Sequence, residues 1–314
     1  MTDDLKIRFP GGKMKVSICI PTYNCKEHLQ RLMDSLFKQD FNDYEVIISD
    51  DSTDNEIEDY IKSIDDQRII YTHNAKRLGH IFNWNKVIDD AHGEYIKTMF
   101  ADDWFNTDDA LSKYVAMLDD NPEAVMAFSS NIQYYLGHPE DNFQRHLKDD
   151  FINELKADYR YVFVENSIGA PSGTIFRAST GARFDEISTY TSDIFLYIEL
   201  LKDGGKFAYT DEPLINIGIH DDQYTNNFNE NVEKTLADRK YLYEKYSLNE
   251  CKKCREHLKN EFLLKYLQSP SYAEECGFDK KEYAKELKKA KAERMKFYLG
   301  VLKRKLGLGG SSDK

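Results

Sequence analysis

Short apolar runs alternate with amphipathic segments over residues 16–99, and this alternation restricts the possible folds more than any other feature of the sequence. The apolar runs are typical of buried strands, and they cover residues 16–20, 44–49, 68–72 and 94–99. The segments between them place apolar residues at helical spacing, and they cover residues 26–39, 55–63 and 81–91. This order predicts an α/β fold with a mostly parallel sheet flanked by helices.

The pattern becomes less regular after residue 100, but further elements can be predicted. We expect helices over residues 108–119 and 192–201, and strands over residues 125–129, 174–176, 206–209 and 214–219. A polar and aromatic stretch over residues 137–166 is typical of an insertion or a lid. From residue 231 onward the chain is highly charged and helical in pattern. We therefore predict two domains, an α/β domain over residues 1–230 and a helical module over residues 231–314.

Polar side chains follow three of the predicted strands at the point where each strand ends. These polar pairs are Tyr23-Asn24, Asp50-Asp51 and Asp102-Asp103. The carboxyl ends of parallel strands meet at one edge of a sheet, and ligands of α/β proteins bind at that edge. The sequence therefore predicts a ligand site there.

The charge of the chain is unevenly distributed. There are 43 basic and 55 acidic residues, for a net charge of −12, and an acidic surface argues against a nucleic-acid partner. Residues 279–305 are the exception, with 11 Lys and Arg against 4 Asp and Glu. Basic residues mixed with apolar ones are typical of a helix on an anionic membrane surface. A solvated bundle helix or a dimer contact is the alternative.

The cysteines and the apolar segments bear on where the chain works. Five cysteines suit a reducing compartment. Cys251 and Cys254 form a CxxC motif, but no second motif completes a zinc set. There is no secretory signal and no apolar run of about 18 residues. We therefore expect a cytoplasmic protein, either soluble or peripheral at the inner face of the membrane.

Several ordered motifs resemble glycosyltransferase family 2. Residues 16–24 read VSICIPTYN, and residues 45–54 read EVIISDDSTD. The later motifs are AHGEYI at residues 91–96, ADDW at 101–104, DEPL at 211–214, and His220. The resemblance implies a type A glycosyltransferase fold and an inverting hexosyl- or N-acetylhexosaminyltransferase. Such an enzyme moves a sugar from a nucleotide diphosphate to a hydroxyl of a polysaccharide, lipid-linked or other surface-glycan acceptor.

The resemblance also implies a divalent cation, Mn²⁺ or Mg²⁺, at the donor diphosphate. Asp102 matches the family's metal-binding aspartate, and His220 is a further candidate ligand. The usual DxD motif is incomplete, because Phe100 stands where its first aspartate is found. A solvated Asp-Asp turn that caps the next helix is the alternative for Asp102 and Asp103.

The resemblance implies that a carboxylate removes the proton from the acceptor hydroxyl. Asp193 stands at the family's position for this general base, although its neighbour is Ser192 where the family carries a second acid. The alternative is that Ser192 or Asp193 caps the following helix. Asp185 and Glu186 are the second choice for the base.

The remaining site residues also follow from the resemblance. Asp50 and Asp51 offer acceptors for a base N–H or a ribose hydroxyl, which suits uracil or thymine, although guanine also offers N–H donors. A UDP-sugar donor is favoured. The expected nucleotide-binding residues are Pro21, Thr22, Tyr23, Asn24, Asp50, Asp51, Arg77, Asn85, Ala101 and Asp102. The expected acceptor contacts are Ser172, Gly173 and Trp104.

Other classes of protein fit the sequence less well. A sugar-phosphate nucleotidyltransferase should carry a Gly-rich basic loop after its first strand, and residues 21–24 lack one. A non-catalytic glycan-binding relative stays open because the DxD motif is incomplete. A dehydrogenase is disfavoured, since no GxGxxG motif follows a strand.

Overall fold

The computed structural model describes residues 14–220, 232–261, 268–275 and 277–305. The chain divides into two compact units, Met1–Asn229 and Glu230–Lys314. The predicted boundary at residues 230 and 231 lies outside the described residues.

The first unit is built on a nine-stranded sheet. Its strands are β1 Val16–Thr22, β2 Tyr44–Asp50, β3 Ile69–His73, β4 Tyr95–Thr98, β5 Trp104–Phe105, β6 Ala124–Tyr135, β7 Phe143–Arg145, β8 Thr174–Arg177 and β9 Lys206–Ile219. They lie in the order β3-β2-β1-β4-β8-β6-β9-β5, and β7 pairs with β6.

The predicted α/β class is confirmed, but the sheet is parallel in only one half. The strands β3, β2, β1 and β4 pair in parallel. In the other half β8 is antiparallel to β4 and β6, β5 is antiparallel to β9, and only β6 and β9 run parallel. The mixed half begins where the regular alternation of the sequence ends, near residue 100.

Seven α-helices accompany this sheet in the described part of the first unit. They are α1 Lys26–Leu36, α2 Glu56–Ser63, α3 His80–Asp89, α4 Ala110–Asp119, α5 Asp149–Ala157, α6 Tyr161–Val164 and α7 Ser192–Leu201. The second unit contains α8 Val232–Lys245, α9 Lys252–Asn260, α10 Pro270–Glu275 and α11 Lys280–Lys305. No helix among the described residues has the length and apolar composition needed to cross a membrane.

The core of the parallel half explains why its strands are continuous apolar runs. Every residue of β1 and β2 is buried, as expected for strands covered on both faces. On one face, Ile18 and Ile20 join the same cluster as Leu29, Leu32 and Met33 of α1. This packing fixes the edge at which β1 and β2 end.

The structure bears on two predictions for the second half of the unit. Residues 137–166 form a folded insertion in which Phe151, Ile152 and Phe163 are buried, in line with the first of the two alternatives, and the second prediction needs correction. The two strands predicted over residues 206–219 are one strand, β9. The register with β6 shifts around Ser130, which lies opposite Pro213. Because proline has no N–H for the ladder, the sequence pattern breaks there while the strand continues.

Candidate functional site

Asp102 and His220 come together at the carboxyl ends of two strands. Asp102 follows β4, His220 follows β9, and Asp102 Oδ2 lies 3.3 Å from His220 Nε2. Their side chains are 29% and 19% exposed, so both reach solvent. Pairing of β5 with β9 aligns Trp104 with Asn216, which brings the two segments side by side.

Gly218 allows this close approach. A Cβ atom at residue 218 would lie 2.3 Å from the carbonyl oxygen of Asp102. Any larger residue would therefore push β9 away from Asp102. This requirement could not be predicted from the sequence, because the crowding at Gly218 comes from a segment more than 100 residues away in the chain.

His28 is a further member of this cluster that the sequence did not predict. Its ring stacks on the ring of His220, with centroids 4.7 Å apart and planes at 26°. Partial burial lowers the pKa of His28, and the neighbouring His220 lowers it further. His28 lies in the first turn of α1 and reaches His220 only through the tertiary fold, so the sequence carries no signal for the contact.

The donor atoms of Asp102 and His220 fit a divalent cation. Two ligands at right angles, each about 2.2 Å from a metal, lie about 3.1 Å apart, close to the observed 3.3 Å. Both side chains keep exposed surface on which further oxygen ligands can approach. Among the described residues, His138, Glu140 and Asp141 form the one group of three side chains with metal-ligand spacing, and all three are exposed.

Asp50 is a fully buried hydrogen-bond acceptor at the end of β2. Its Oδ1 accepts hydrogen bonds from the Thr22 hydroxyl at 2.9 Å and from the Ser52 hydroxyl at 2.6 Å. Its Oδ2 accepts one from the Tyr71 hydroxyl at 2.7 Å, and His73 Nδ1 lies at 3.4 Å. The structure thus places Asp50 where it ties β1, β2 and β3 together at the edge of the site.

Asp51 holds the loop that follows β3. Its carboxylate accepts hydrogen bonds from Asn74 Nδ2 at 2.9 Å, from the Leu78 N–H at 3.1 Å and from the Gly79 N–H at 2.8 Å. Asp51 is buried, so its first effect is to order residues 74–79 beside the strand ends.

Tyr23 and Arg77 form the exposed part of the predicted nucleotide site. Tyr23 is 41% exposed, and the guanidinium carbon of Arg77 lies 4.0 Å from the centre of its ring. Asn24 has a left-handed φ of 47°, and its Oδ1 accepts the Thr53 N–H at 3.0 Å. Pro21 is buried at the end of β1. The structure therefore brings the predicted residues of loops 21–24 and 74–79 to one edge.

Asn85 is directed away from these loops. Its side-chain amide exchanges two hydrogen bonds, both of 2.9 Å, with the backbone of Phe184. Asn83, which the sequence did not single out, donates to the carbonyls of Thr22 and Ser49 at 3.2 and 3.0 Å. The nucleotide contact expected of Asn85 stays a prediction, while Asn83 supports the strand ends directly.

Ser172 and Gly173 lie beneath the Asp102 segment and not at the surface. Both are buried. The Ser172 hydroxyl accepts the Phe100 N–H at 2.9 Å, and the Gly173 carbonyl accepts the Tyr114 hydroxyl at 3.1 Å. The acceptor contact expected of Ser172 and Gly173 stays a prediction, and their burial shows that these residues first support the segment around Phe100.

Trp104 keeps a partly exposed ring next to the metal-ligand candidates. It makes an edge-on contact with Tyr134 at 4.9 Å between centroids, and the Arg31 guanidinium lies 4.8 Å from its ring. Ala101 is buried in the main core cluster, so its backbone alone can contribute to a ligand site. Trp104 as an acceptor contact stays a prediction.

Asp193 lies in the first turn of α7. Its Oδ1 accepts the Ile194 N–H at 2.8 Å, and its Oδ2 accepts Asn166 Nδ2 at 2.5 Å. The N-cap residue is Thr191, which makes no side-chain capping bond. The alternative that Ser192 caps the helix is therefore wrong in detail, whereas Asp193 does satisfy one N–H of the first turn.

The second choices for a base differ from Asp193 in their surroundings. Asp185 accepts the N–H groups of Ile187 and Ser188 at 2.9 and 3.2 Å, which closes a turn. Glu186 is exposed. Asp193 is the candidate that a well-ordered helix and a neighbouring amide hold in place.

The mixed sheet with polar strand ends has the type A glycosyltransferase fold, as two solved structures show. The Staphylococcus aureus TarS 1–349 in complex with UDP-GlcNAc matches with a TM-score of 0.59 at 18% identity, over 79% of this chain and 73% of that chain. The mannosyltransferase PcManGT from Pyrobaculum calidifontis, in complex with GDP-Man and Mn²⁺, matches with a TM-score of 0.55 at 15% identity, over 74% of this chain and 64% of that chain. At these identities the likeness shows the fold.

The family profile of glycosyl transferase family 2 matches residues 17–179, just over half of the chain. The chain belongs to glycosyl transferase family 2, and the resemblance seen in its motifs is confirmed. A relative in sequence is the Campylobacter jejuni GalNAc(5)-diNAcBac-PP-undecaprenol beta-1,3-glucosyltransferase, 34% identical over 92 residues. That alignment covers 28% of this chain and 30% of the relative.

Proposed function

We propose that the chain is an inverting, metal-dependent glycosyltransferase that moves a sugar from a nucleotide diphosphate to a hydroxyl of a surface glycan. The observation that carries this proposal is the pair Asp102 and His220, with donor atoms 3.3 Å apart at the strand ends. Family membership favours this function over a sugar-phosphate nucleotidyltransferase. The partly exposed, cation-compatible pair favours it over a non-catalytic relative.

Asp102 and His220 would hold Mn²⁺ or Mg²⁺ beside the diphosphate of the donor. When bound, such a cation offsets the negative charge that develops on the leaving nucleoside diphosphate. PcManGT, which shares the fold, contains Mn²⁺ in its complex with GDP-Man. Asp102 is the stronger candidate because carboxylate oxygen is the preferred ligand of both cations.

The donor is proposed to be a UDP-sugar. Tyr23 offers an exposed ring for the base, and the Arg77 guanidinium at 4.0 Å offers positive charge beside it. TarS, of the same fold, contains UDP-GlcNAc in its complex. Asp50 and Asp51 accept hydrogen bonds from Thr22 and Gly79, next to Tyr23 and Arg77, and so connect both segments to the end of β2.

Asp193 is proposed as the general base. The acceptor oxygen attacks the anomeric carbon, the bond from that carbon to the diphosphate breaks, and the hydroxyl proton passes to Asp193. The hydrogen bond from Asn166 to Asp193 Oδ2 fixes the direction of the carboxylate.

The acceptor is proposed to be a polysaccharide or a lipid-linked glycan. The Campylobacter jejuni relative is named for an undecaprenol-linked substrate. The basic helix α11, with exposed Met295, Tyr298 and Leu299 among its lysines, suits peripheral contact with an anionic membrane. The protein would then meet a lipid-linked acceptor at the membrane surface.

Donor turnover tests the proposed function. We would incubate the full chain with UDP-glucose, UDP-galactose, UDP-GlcNAc or GDP-mannose and Mn²⁺, and measure release of nucleoside diphosphate. We expect release from at least one donor, and loss of that release in excess chelator and in Asp102→Ala. In parallel, UDP with Mn²⁺ at 100-fold its Kd should stabilise the protein by about 2.7 kcal/mol. Undiminished release in excess chelator would contradict the metal-dependent mechanism.

A further inference from the structure

A lysine and an aspartate are buried next to the Asp102–His220 pair. Lys97 lies in the central strand β4 with a side-chain exposure of 0%, and Asp103 directly follows Asp102 with 3%. Neither residue reaches solvent, so neither contacts a donor directly. A lysine in a strand of four buried residues, YIKT at Tyr95–Thr98, is the sequence signal for this pair.

Lys97 anchors the backbone that leads to Asp102. Its ammonium donates a hydrogen bond to the Ser172 carbonyl, and it also lies 4.6 Å from the centre of the Tyr114 ring. The hydroxyl of Ser172 in turn accepts the Phe100 N–H at 2.9 Å. Lys97 therefore holds, through Ser172, the residue two positions before Asp102.

Asp103 anchors the backbone that leads to His220. Its Oδ1 accepts the Gly218 N–H at 3.1 Å, and Gly218 lies two positions before His220. Asp103 also interacts with Lys97 through space, because each group's charge acts on the pKa of the other. The two buried groups thus connect both sides of the candidate metal site.

The ionisable groups are an unusual choice for holding two segments together. Burial lowers the pKa of Lys97 to about 7, and the charge of Asp103 opposes this. Burial raises the pKa of Asp103 well above its usual range, and the charge of Asp102 adds to the increase. A well-packed apolar pair of similar volume often gives equal or higher stability. The positional role is indicated by the hydrogen bonds that the two side chains make, from Lys97 to the Ser172 carbonyl and from the Gly218 N–H to Asp103.

We propose that Lys97 and Asp103 are positioning residues that set the distance between Asp102 and His220, and thereby the affinity for the divalent cation at the donor diphosphate. This inference rests on the proposed function. The two residues act through Ser172 and Gly218, and not by touching the cation or the sugar.

The test is a double-mutant cycle on the full chain. We would measure Mn²⁺ affinity by titration calorimetry in saturating UDP, for the parent, Lys97→Met, His220→Ala and the double variant. Changes in residues that support metal ligands typically weaken metal affinity about 10–100-fold, and we expect this for Lys97→Met. In the His220→Ala background, Lys97→Met should have little further effect, because the distance between Asp102 and His220, which Lys97 is proposed to set, no longer matters once the His220 imidazole is absent. Lys62→Met, on an exposed lysine of α2, is the matched control and should leave the affinity unchanged.

Two results would overturn the inference. One is unchanged Mn²⁺ affinity in Lys97→Met, and the other is an equal loss in both backgrounds, as expected from general destabilisation. If Asp102→Ala and His220→Ala bind Mn²⁺ as well as the parent does, the proposed metal site itself is wrong, which is a distinguishable outcome. A parent that binds no Mn²⁺ overturns both proposals together.

A second pair of variants covers the case in which Lys97→Met does not fold. Asp103→Asn keeps an oxygen that can accept the Gly218 N–H, so it should keep Mn²⁺ affinity, whereas Asp103→Ala should lose it. Equal affinities for these two variants would contradict the role of the Gly218 hydrogen bond. Near-ultraviolet circular dichroism of the two variants would show whether each is folded, so that a loss of Mn²⁺ affinity is not confused with unfolding.

Discussion

At the scale of single residues, the site depends on close contacts between segments that are far apart in the chain. Asp102, His220 and His28 come from three separate parts of the chain. Asp102 Oδ2 lies 3.3 Å from His220 Nε2, and the ring centroids of His220 and His28 lie 4.7 Å apart. Asp102 could be singled out because it follows a predicted strand, and His220 because its segment resembles the family. The contact with His28 could not be predicted, since it depends on where α1 begins relative to the end of β9.

Gly218→Ala tests this close packing. The added Cβ would lie 2.3 Å from the carbonyl oxygen of Asp102, so β9 must move and carry His220 with it. We expect Mn²⁺-dependent donor turnover to fall at least tenfold, on the order of the 10–100-fold effects seen when the support of a metal site is altered. Gly137→Ala is the control, since nothing lies within 4 Å of the Cβ it would introduce. Equal turnover in the two variants would contradict the expected displacement.

Asp193→Asn tests the general base. General-base catalysis is typically worth about 10²–10⁴-fold in rate, and asparagine cannot accept the proton. We expect turnover to fall by about that factor with donor affinity unchanged. If Asp193 serves only the helix, an alanine variant should instead lose about 1 kcal/mol of stability with near-normal turnover. Turnover within a few fold of the parent in Asp193→Asn would exclude it as the base and direct attention to Asp185.

At the scale of elements, the alternation of residues 16–99 was sufficient to predict β1 to β4 and α1 to α3. The carboxyl ends of these strands carry the predicted polar residues because parallel pairing places those ends at one edge. The second half was harder to predict, because antiparallel pairing of β8 and the shifted register opposite Pro213 depend on tertiary contacts. The same limit applies to Ser172, which was expected to contact the acceptor: its burial depends on tertiary packing that the sequence does not show.

Asp51→Asn tests whether the Asp51 carboxylate holds the loop after β3 in place. The Asp51 carboxylate accepts hydrogen bonds from three N–H groups. In the variant, the side-chain amide nitrogen takes the place of one accepting oxygen and would point at one of these N–H groups. A buried donor without an acceptor costs about 1–3 kcal/mol, so the nucleotide-free protein should melt at a lower temperature and bind UDP more weakly. Asp54→Asn, at an exposed aspartate of the same segment, should melt like the parent. Weaker UDP binding without any change in melting temperature would show a direct nucleotide contact instead.

At the scale of the whole molecule, the chain has two compact units with different charge. The first unit carries the sheet and the site, and the second ends in the basic helix α11. The sequence predicted this helix from its composition, but composition alone cannot distinguish a membrane contact from a protein contact. A binding measurement is needed to distinguish the membrane contact from the protein contact.

Reversing the charge of exposed lysines on α11 tests the membrane contact. We expect the triple variant Lys288→Glu, Lys289→Glu and Lys291→Glu to lose co-sedimentation with phosphatidylserine-containing liposomes at low salt, since each basic residue near such a surface contributes about 1 kcal/mol. Donor turnover should be unchanged. The same reversal at Lys38, Lys62 and Lys206, which are exposed on the first unit, should leave co-sedimentation intact. A parent chain that ignores these liposomes would refute the membrane contact.

Anomalous diffraction from crystals grown with Mn²⁺ and UDP would show whether Asp102 and His220 hold the cation at the donor diphosphate. We expect one strong manganese peak within about 2.0–2.6 Å of an Asp102 carboxylate oxygen and of His220 Nε2, with diphosphate oxygens completing the coordination. Manganese found only at His138, Glu140 and Asp141, or UDP bound with no manganese near Asp102, would contradict this expectation.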